Sequence, residues 1–126
     1  MTMKTTRAEF IEKTKKRCKK LAIGVLELCD TFTYKQNSQK IIAYQLGKSA
    51  TSVAANYNAA CRVRSGNEFY AKMSITIEEA DETVMWLELL NEGNFKVDPE
   101  KIRPLLNEAT EILKIVATAR KNTSKV

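Results

Sequence analysis

The residues of this chain whose types and spacing could do chemistry are cations: Lys15, Lys16, Lys19, Lys20, Arg62, Arg64, Arg120 and Lys121. Side chains of this kind neutralise phosphates, and each contact with a nucleic acid releases condensed counterions. The run from Lys13 to Lys20 holds no aromatic residue. That argues against a platform stacking single-stranded bases and favours backbone or duplex contact, read by shape. The same charges also suit a solvated helix face or a patch facing an acidic protein. A membrane surface is disfavoured, because the apolar stripe of this segment belongs to a core.

The acids are less informative. Glu78, Glu79 and Glu82 cluster like paired carboxylates, but a solvated acidic face, or ion-pair partners for a neighbouring subunit, explains them with less. The chain has no histidine. That removes Glu-x-x-His di-iron pairs, zinc hydrolase motifs, Ser-His-Asp and Cys-His nucleophiles, and any histidine base. The Arg-x-x-x-x-His motif of helical toxin ribonucleases is excluded on the same ground. No P-loop or G-x-G-x-x-G occurs. Cys18, Cys29 and Cys61 are odd in number and widely spaced, which reads as small hydrophobes in a reducing compartment rather than a metal or disulfide set. The expectation is a protein without catalytic residues, metal or cofactor, and not an enzyme.

Four elements must position these charges. Apolar or small residues recur at alternating three- and four-residue steps. The first set is Ile11, Cys18, Leu21, Val25, Leu28 and Phe32; the second is Ile42, Leu46, Ser49, Val53, Asn56 and Ala60. The third is Phe69, Met73, Thr76, Ala80, Thr83, Leu87 and Leu90; the fourth is Ile102, Leu105, Ala109, Ile112, Val116 and Ala119. Thr33 to Gln39 is polar and reads as a loop. Ser65 with Glu68 forms a capping box, Gly93-Asn94 suits a left-handed C-terminal cap, and Asp98-Pro99-Glu100 starts a helix. Short connections between helices of similar length predict an all-α, antiparallel up-down-up-down four-helix bundle. The chain of 126 residues is one domain, 1–126, with an ordered core of about 8–121 and a tail that frays from Lys121. No apolar run resembles a secretory signal or a membrane span of about 20 residues, so a cytoplasmic location is expected.

The net charge is +6, unevenly spread. Lys4, Arg7, Lys13 and the lysines to Lys20 crowd the start; Glu78 to Glu111 is acidic; Lys114, Arg120, Lys121 and Lys125 close the chain. Alternating helices gather the N-terminal lysines, Arg62, Arg64, Lys72, Arg120 and Lys121 at one end, with Glu88, Glu92, Asp98 and Glu100 at or near the other. Asn56, on the inward stripe, is expected to fix helix register or bond neighbouring backbone. Ile75, Met85, Trp86 and Leu89 lie off the third seam and predict an oligomer interface, unless Trp86 closes the edge of its own core.

Ser52-Val53-x-Ala55-Asn56, Arg64-Ser65-x-x-Glu68-Phe69, Glu78-Glu79-Ala80-x-Glu82-Thr83 and Trp86-Leu87-Glu88-Leu89-Leu90 occur in that order. Together they resemble a bacterial four-helix-bundle family named for intervening sequences in 23S ribosomal RNA genes, over roughly Ile41 to Arg120. Ala60-Cys61 stands where many members carry Glu-Gly. The resemblance implies a ring-shaped homopentamer, similar to accessory proteins of retroelements that partner a reverse transcriptase and bind nucleic acid through a basic surface. It implies no catalytic residues. Two functions follow as expectations: an oligomer binding structured nucleic acid, RNA rather than DNA, or a scaffold for a protein partner such as a nucleic-acid enzyme.

Overall fold

The computed structural model describes residues 6–123 and holds four helices: α1 (Arg7–Asp30), α2 (Asn37–Ala60), α3 (Gly66–Glu92) and α4 (Pro99–Lys121). No strand occurs among the described residues. Lys4, Lys125 and the end of the tail expected to fray lie outside the described residues.

Helix starts follow side-chain chemistry. Thr6 accepts from the Glu9 amide at 3.1 Å, Ser65 from Glu68 at 3.1 Å and Asp98 from Glu100 at 2.9 Å. Each satisfies one amide that a first turn leaves without a partner. Pro99 takes the first turn of α4, where a missing N–H costs nothing.

One expected cap is different. Gly93 ends α3 in extended conformation, φ −89° and ψ 171°, not the left-handed one. Glycine is required there for space, because a Cβ would collide with the Phe95 ring folded back over it. The left-handed residues are Tyr34 and Lys96, one in each loop at that end.

The predicted seams form the core. Cys18, Leu21, Val25, Leu28, Ile42, Leu46, Val53, Met73, Ala80, Leu87, Leu90, Ile102, Ala109, Ile112 and Val116 are buried, with Ile11, Phe69, Leu105 and Ala119 at the edges. The second seam departs near its end. Tyr57, 4 % exposed, takes the inward place expected of Asn56, because the stripe steps four residues from Val53 and then three to Ala60. Asn56 is half-buried and donates to the Ser52 carbonyl at 2.9 Å, the neighbouring-backbone bond expected of it.

Small residues let α2 and α3 pack closely. Ser49, Thr76 and Thr83 are buried and polar, and each meets a carbonyl on its own helix. Thr83 Oγ1 also lies 2.9 Å from Ser49 Oγ, joining the two helices. Other contacts join α1 to α2, α1 to α4 and α4 to α3: Cys29 Sγ lies 3.9 Å from the Ala43 carbonyl oxygen, Gly24 packs on Leu105, and Arg120 reaches Ser74. The backbones of α1 and α3 are not adjacent, nor are those of α2 and α4. No helix among the described residues is long and apolar enough to cross a membrane.

At the far end a buried glutamine ties two loops together. Gln39, 1 % exposed, donates to the Phe95 carbonyl at 2.8 Å and accepts from the Tyr34 amide at 2.9 Å and the Thr33 hydroxyl at 3.2 Å. Replacing it with an apolar isostere leaves those groups short of partners. Gln39→Leu is expected to cost about 2–3 kcal/mol in urea denaturation. A loss below about 0.5 kcal/mol would show that water can substitute for the amide.

Candidate nucleic-acid interface

The predicted cations divide into a row and a cluster. Lys13, Lys16 and Lys20 follow steps of three and four on α1, opposite its buried stripe, and Lys16, Lys19 and Lys20 are exposed. Lys19 lies about 18 Å along the axis from Arg7 at about 1.5 Å per residue. Lys19 and Lys20 therefore sit midway along the bundle, and the basic feature of α1 is a stripe running from the end. Lys15 is partly covered and pairs with Glu12 at 3.2 Å.

The cluster lies at the end itself. Arg62 and Arg64 occupy the α2–α3 turn, exposed, and Lys121 is exposed in the last turn of α4. Arg120 is half-buried, its guanidinium 5.5 Å from the Tyr70 ring centroid and its Nη1 3.4 Å from Ser74 Oγ. It is held partly inside the bundle, so less of its charge faces outward than Arg64 presents. Among the described residues, Lys16, Lys19, Lys20, Arg62, Arg64, Arg120 and Lys121 form no ion pair.

Arg17 is different in kind. Its Nε and Nη2 meet both carboxylate oxygens of Glu108 on α4, at 2.8 and 2.5 Å. This bidentate pair bridges the two helices and takes Arg17 out of any binding surface. The hydrogen bond to Arg17 holds the Glu108 carboxyl below its ordinary range.

The opposite end is mixed rather than acidic. Glu92, Asp98 and Glu100 share it with Lys35, Lys96, Lys101 and Arg103, and Arg103 pairs with Glu100. The charge contrast between the ends is softer than the sequence order implies.

A hollow at the cationic end was invisible in the sequence. It measures about 500 Å³ and is lined by the start of α1 (Arg7, Phe10, Ile11), the α2–α3 turn (Cys61, Val63, Arg64, Ser65) with Tyr57, Phe69, and the finish of α4 (Ala119, Asn122, Thr123). Aromatics absent from the lysine run thus reach the basic end from other parts of the fold. Phe10 is 46 % exposed there.

The thiols are held towards their protonated form. Burial pushes Cys18 up to about 12 and Cys29 up to about 11, and raises Cys61 as well. Burial also raises the Tyr57 phenol, which sits beside Cys61 and Thr14. In the acidic cluster, burial and then Glu82 raise the Glu79 carboxyl. Glu82 accepts from the Trp86 indole at 3.2 Å. Among the described residues, no three acids or thiols stand together to hold a metal ion.

Of the predicted interface residues, Ile75, Met85 and Leu89 are exposed at 40 %, 42 % and 38 %. Trp86 is half-buried against its own core. Sequence reading missed a second set of exposed apolar side chains: Ile23 and Leu26 on α1, Ile41 and Tyr44 on α2. Their off-seam positions were the available signal.

Fold and surface together define a basic, all-α protein of four helices. The chain belongs to the 23S rRNA-intervening sequence protein family, whose profile matches residues 12–118. It is similar to a protein of unknown function from the S23 ribosomal protein family of Bacteroides thetaiotaomicron, at 28 % identity and a TM-score of 0.77, covering 86 % of this chain and 99 % of that one. None of the curated proteins compared matches it.

The ion pair yields a pH prediction. A carboxyl whose folded pKa is lowered adds stability that is present above its unfolded value and lost as pH falls through the folded one. Thermal midpoints of wild type and Glu108→Gln should differ at neutral pH, by at most about 1 kcal/mol in stability for a pair this accessible. The difference should shrink towards roughly pH 3. A difference that grows on acidification would contradict the pairing.

Proposed function

We propose that this protein is a non-enzymatic, oligomeric nucleic-acid-binding protein of the cytoplasm that engages structured RNA through its basic end and the lysine row of α1. The carrying observation is that Lys16, Lys19, Lys20, Arg62, Arg64 and Lys121 face solvent without acidic partners. Uncommitted cations along a rigid helix suit a run of phosphates, and the helix keeps their spacing without further ordering. The preference for RNA over DNA rests on cations set for backbone contact, the way structured RNA is read by shape; the family description names 23S rRNA intervening sequences.

Assembly is part of the proposal. Ile75, Met85 and Leu89 are exposed on α3 and Ile23 and Leu26 on α1, helices that are not neighbours in the bundle, so they form two separate apolar patches. Two different apolar faces suit head-to-tail association, which closes into a ring when the rotation allows; a homopentamer is the expected size. Repeating the basic end around one rim would add weak phosphate contacts through multivalency. The second reading, a scaffold for a protein partner such as a reverse transcriptase, draws on the exposed Ile41 and Tyr44, which this assembly leaves free.

Affinity for a generic RNA hairpin should fall steeply with salt. Reversing Lys16, Lys19 and Lys20 to Glu should lower the slope of log affinity against log salt by about two to three, as expected for three lost phosphate contacts. Reversing Glu88, Glu92 and Glu100 to Lys should preserve or strengthen binding. No affinity in low salt, or an unchanged slope in the lysine variant, would transfer the case to the protein scaffold.

Sedimentation tests the assembly. Wild type should be a multimer at micromolar concentration, and Met85→Glu with Leu89→Glu should shift it towards monomer with helicity retained. A monomeric wild type rules the proposed interface out.

A further inference from the structure

The hollow at the cationic end combines two things that rarely share a surface by accident. Its wall is apolar and aromatic, with Phe10, Ile11, Tyr57 and Phe69, while Arg7 and Arg64 stand at its margin. A volume of about 500 Å³ lies within the range of small-ligand sites. An aliphatic occupant would leave the two guanidinium groups without a counter-charge, and a bare phosphate would leave the aromatic wall uncovered. A flat ring attached to a phosphate satisfies both.

We infer that this hollow receives one unpaired nucleotide of a bound RNA, its base against Phe10 and Phe69 and its phosphate between Arg7 and Arg64. The inference rests on the nucleic-acid reading above and adds to it a preference for RNA with an extruded base. Recognition of RNA beyond the phosphate backbone uses unstacked bases lying on aromatic rings or guanidinium planes. Further features support the placement. Gly66 opens α3 at the hollow, and helix-start amides favour an anion there. Asn122, also in the lining, carries an amide able to donate to and accept from a base edge. A smaller hollow of about 310 Å³ shares Phe10, Ala119 and Asn122 with the first and is also lined by Lys114, a cation available to a following phosphate. Phe10 lines both hollows, and at 46 % exposed it can be changed without opening the core.

The experiment compares two RNA hairpins that differ only by one bulged nucleotide, with affinity measured at fixed salt. The bulged hairpin should bind at least about tenfold tighter, in line with base–aromatic stacking. Phe10→Ala should bring the ratio of the two affinities close to one, and Phe10→Trp should restore it. An unchanged thermal midpoint for Phe10→Ala excludes unfolding as the cause. If both hairpins bind equally and Phe10→Ala leaves the ratio alone, the nucleotide site is wrong while phosphate binding stands. If neither hairpin binds, both readings fall. A free nucleoside monophosphate binding as tightly as the bulged hairpin would overturn the assignment to an RNA-borne nucleotide.

Discussion

Four apolar stripes must face one axis, and the rest of the molecule follows from that constraint. Once the buried row from Cys18 to Leu28 is turned inward, the rotation of α1 is set, and Lys13, Lys16 and Lys20 have nowhere to point but outward. The same logic turns Ile75, Met85 and Leu89 away from the bundle while Met73, Ala80 and Leu87 fill it. Burial of the seams, at roughly 25 cal/mol per Å² of apolar surface, is the force that holds this phase. The polar groups carried inside follow a strict rule: no buried side-chain polar atom among the described residues lacks a hydrogen-bond partner. Ser49, Thr76 and Thr83 meet it through carbonyls of their own helices, while Gln39 meets it through the distant Phe95 carbonyl.

What could be read from the sequence was what depends on near neighbours. Helical period, the Ser65 and Asp98 caps and the four seams are set within a few residues, and the structure reproduces them apart from Asn56, whose inward place Tyr57 takes. What escaped depends on residues far apart. Arg17 stands among the N-terminal cations in sequence, and Glu108, 91 positions away, meets it only in the fold. Gly93 looked like a backbone device because Phe95 was not known to fold back on it. Gln39 lay in a stretch read as polar loop, yet it is buried because two loops converge on it. The hollow at the basic end combines parts of all four helices, so no window of sequence contains it.

Trp86 marks the boundary between these cases. Its off-seam position suggested an exposed anchor, but its size lets it reach back to the core while Glu82 takes its N–H. A wheel assigns a direction to a Cα–Cβ bond, and a long side chain need not obey it. Shorter neighbours such as Ile75 and Leu89 do obey it, and they remain in solvent.

The upward displacement of the buried thiols has a consequence for control. A protein that senses acidity near neutrality does so through imidazoles or through thiols whose proton affinity has been lowered. This chain has no imidazole, and Cys18, Cys29 and Cys61 have moved the other way. The described surface carries neither of these two sensors of acidification. What modulates it is ionic strength, competition among polyanions, or a covalent change that removes a lysine's charge.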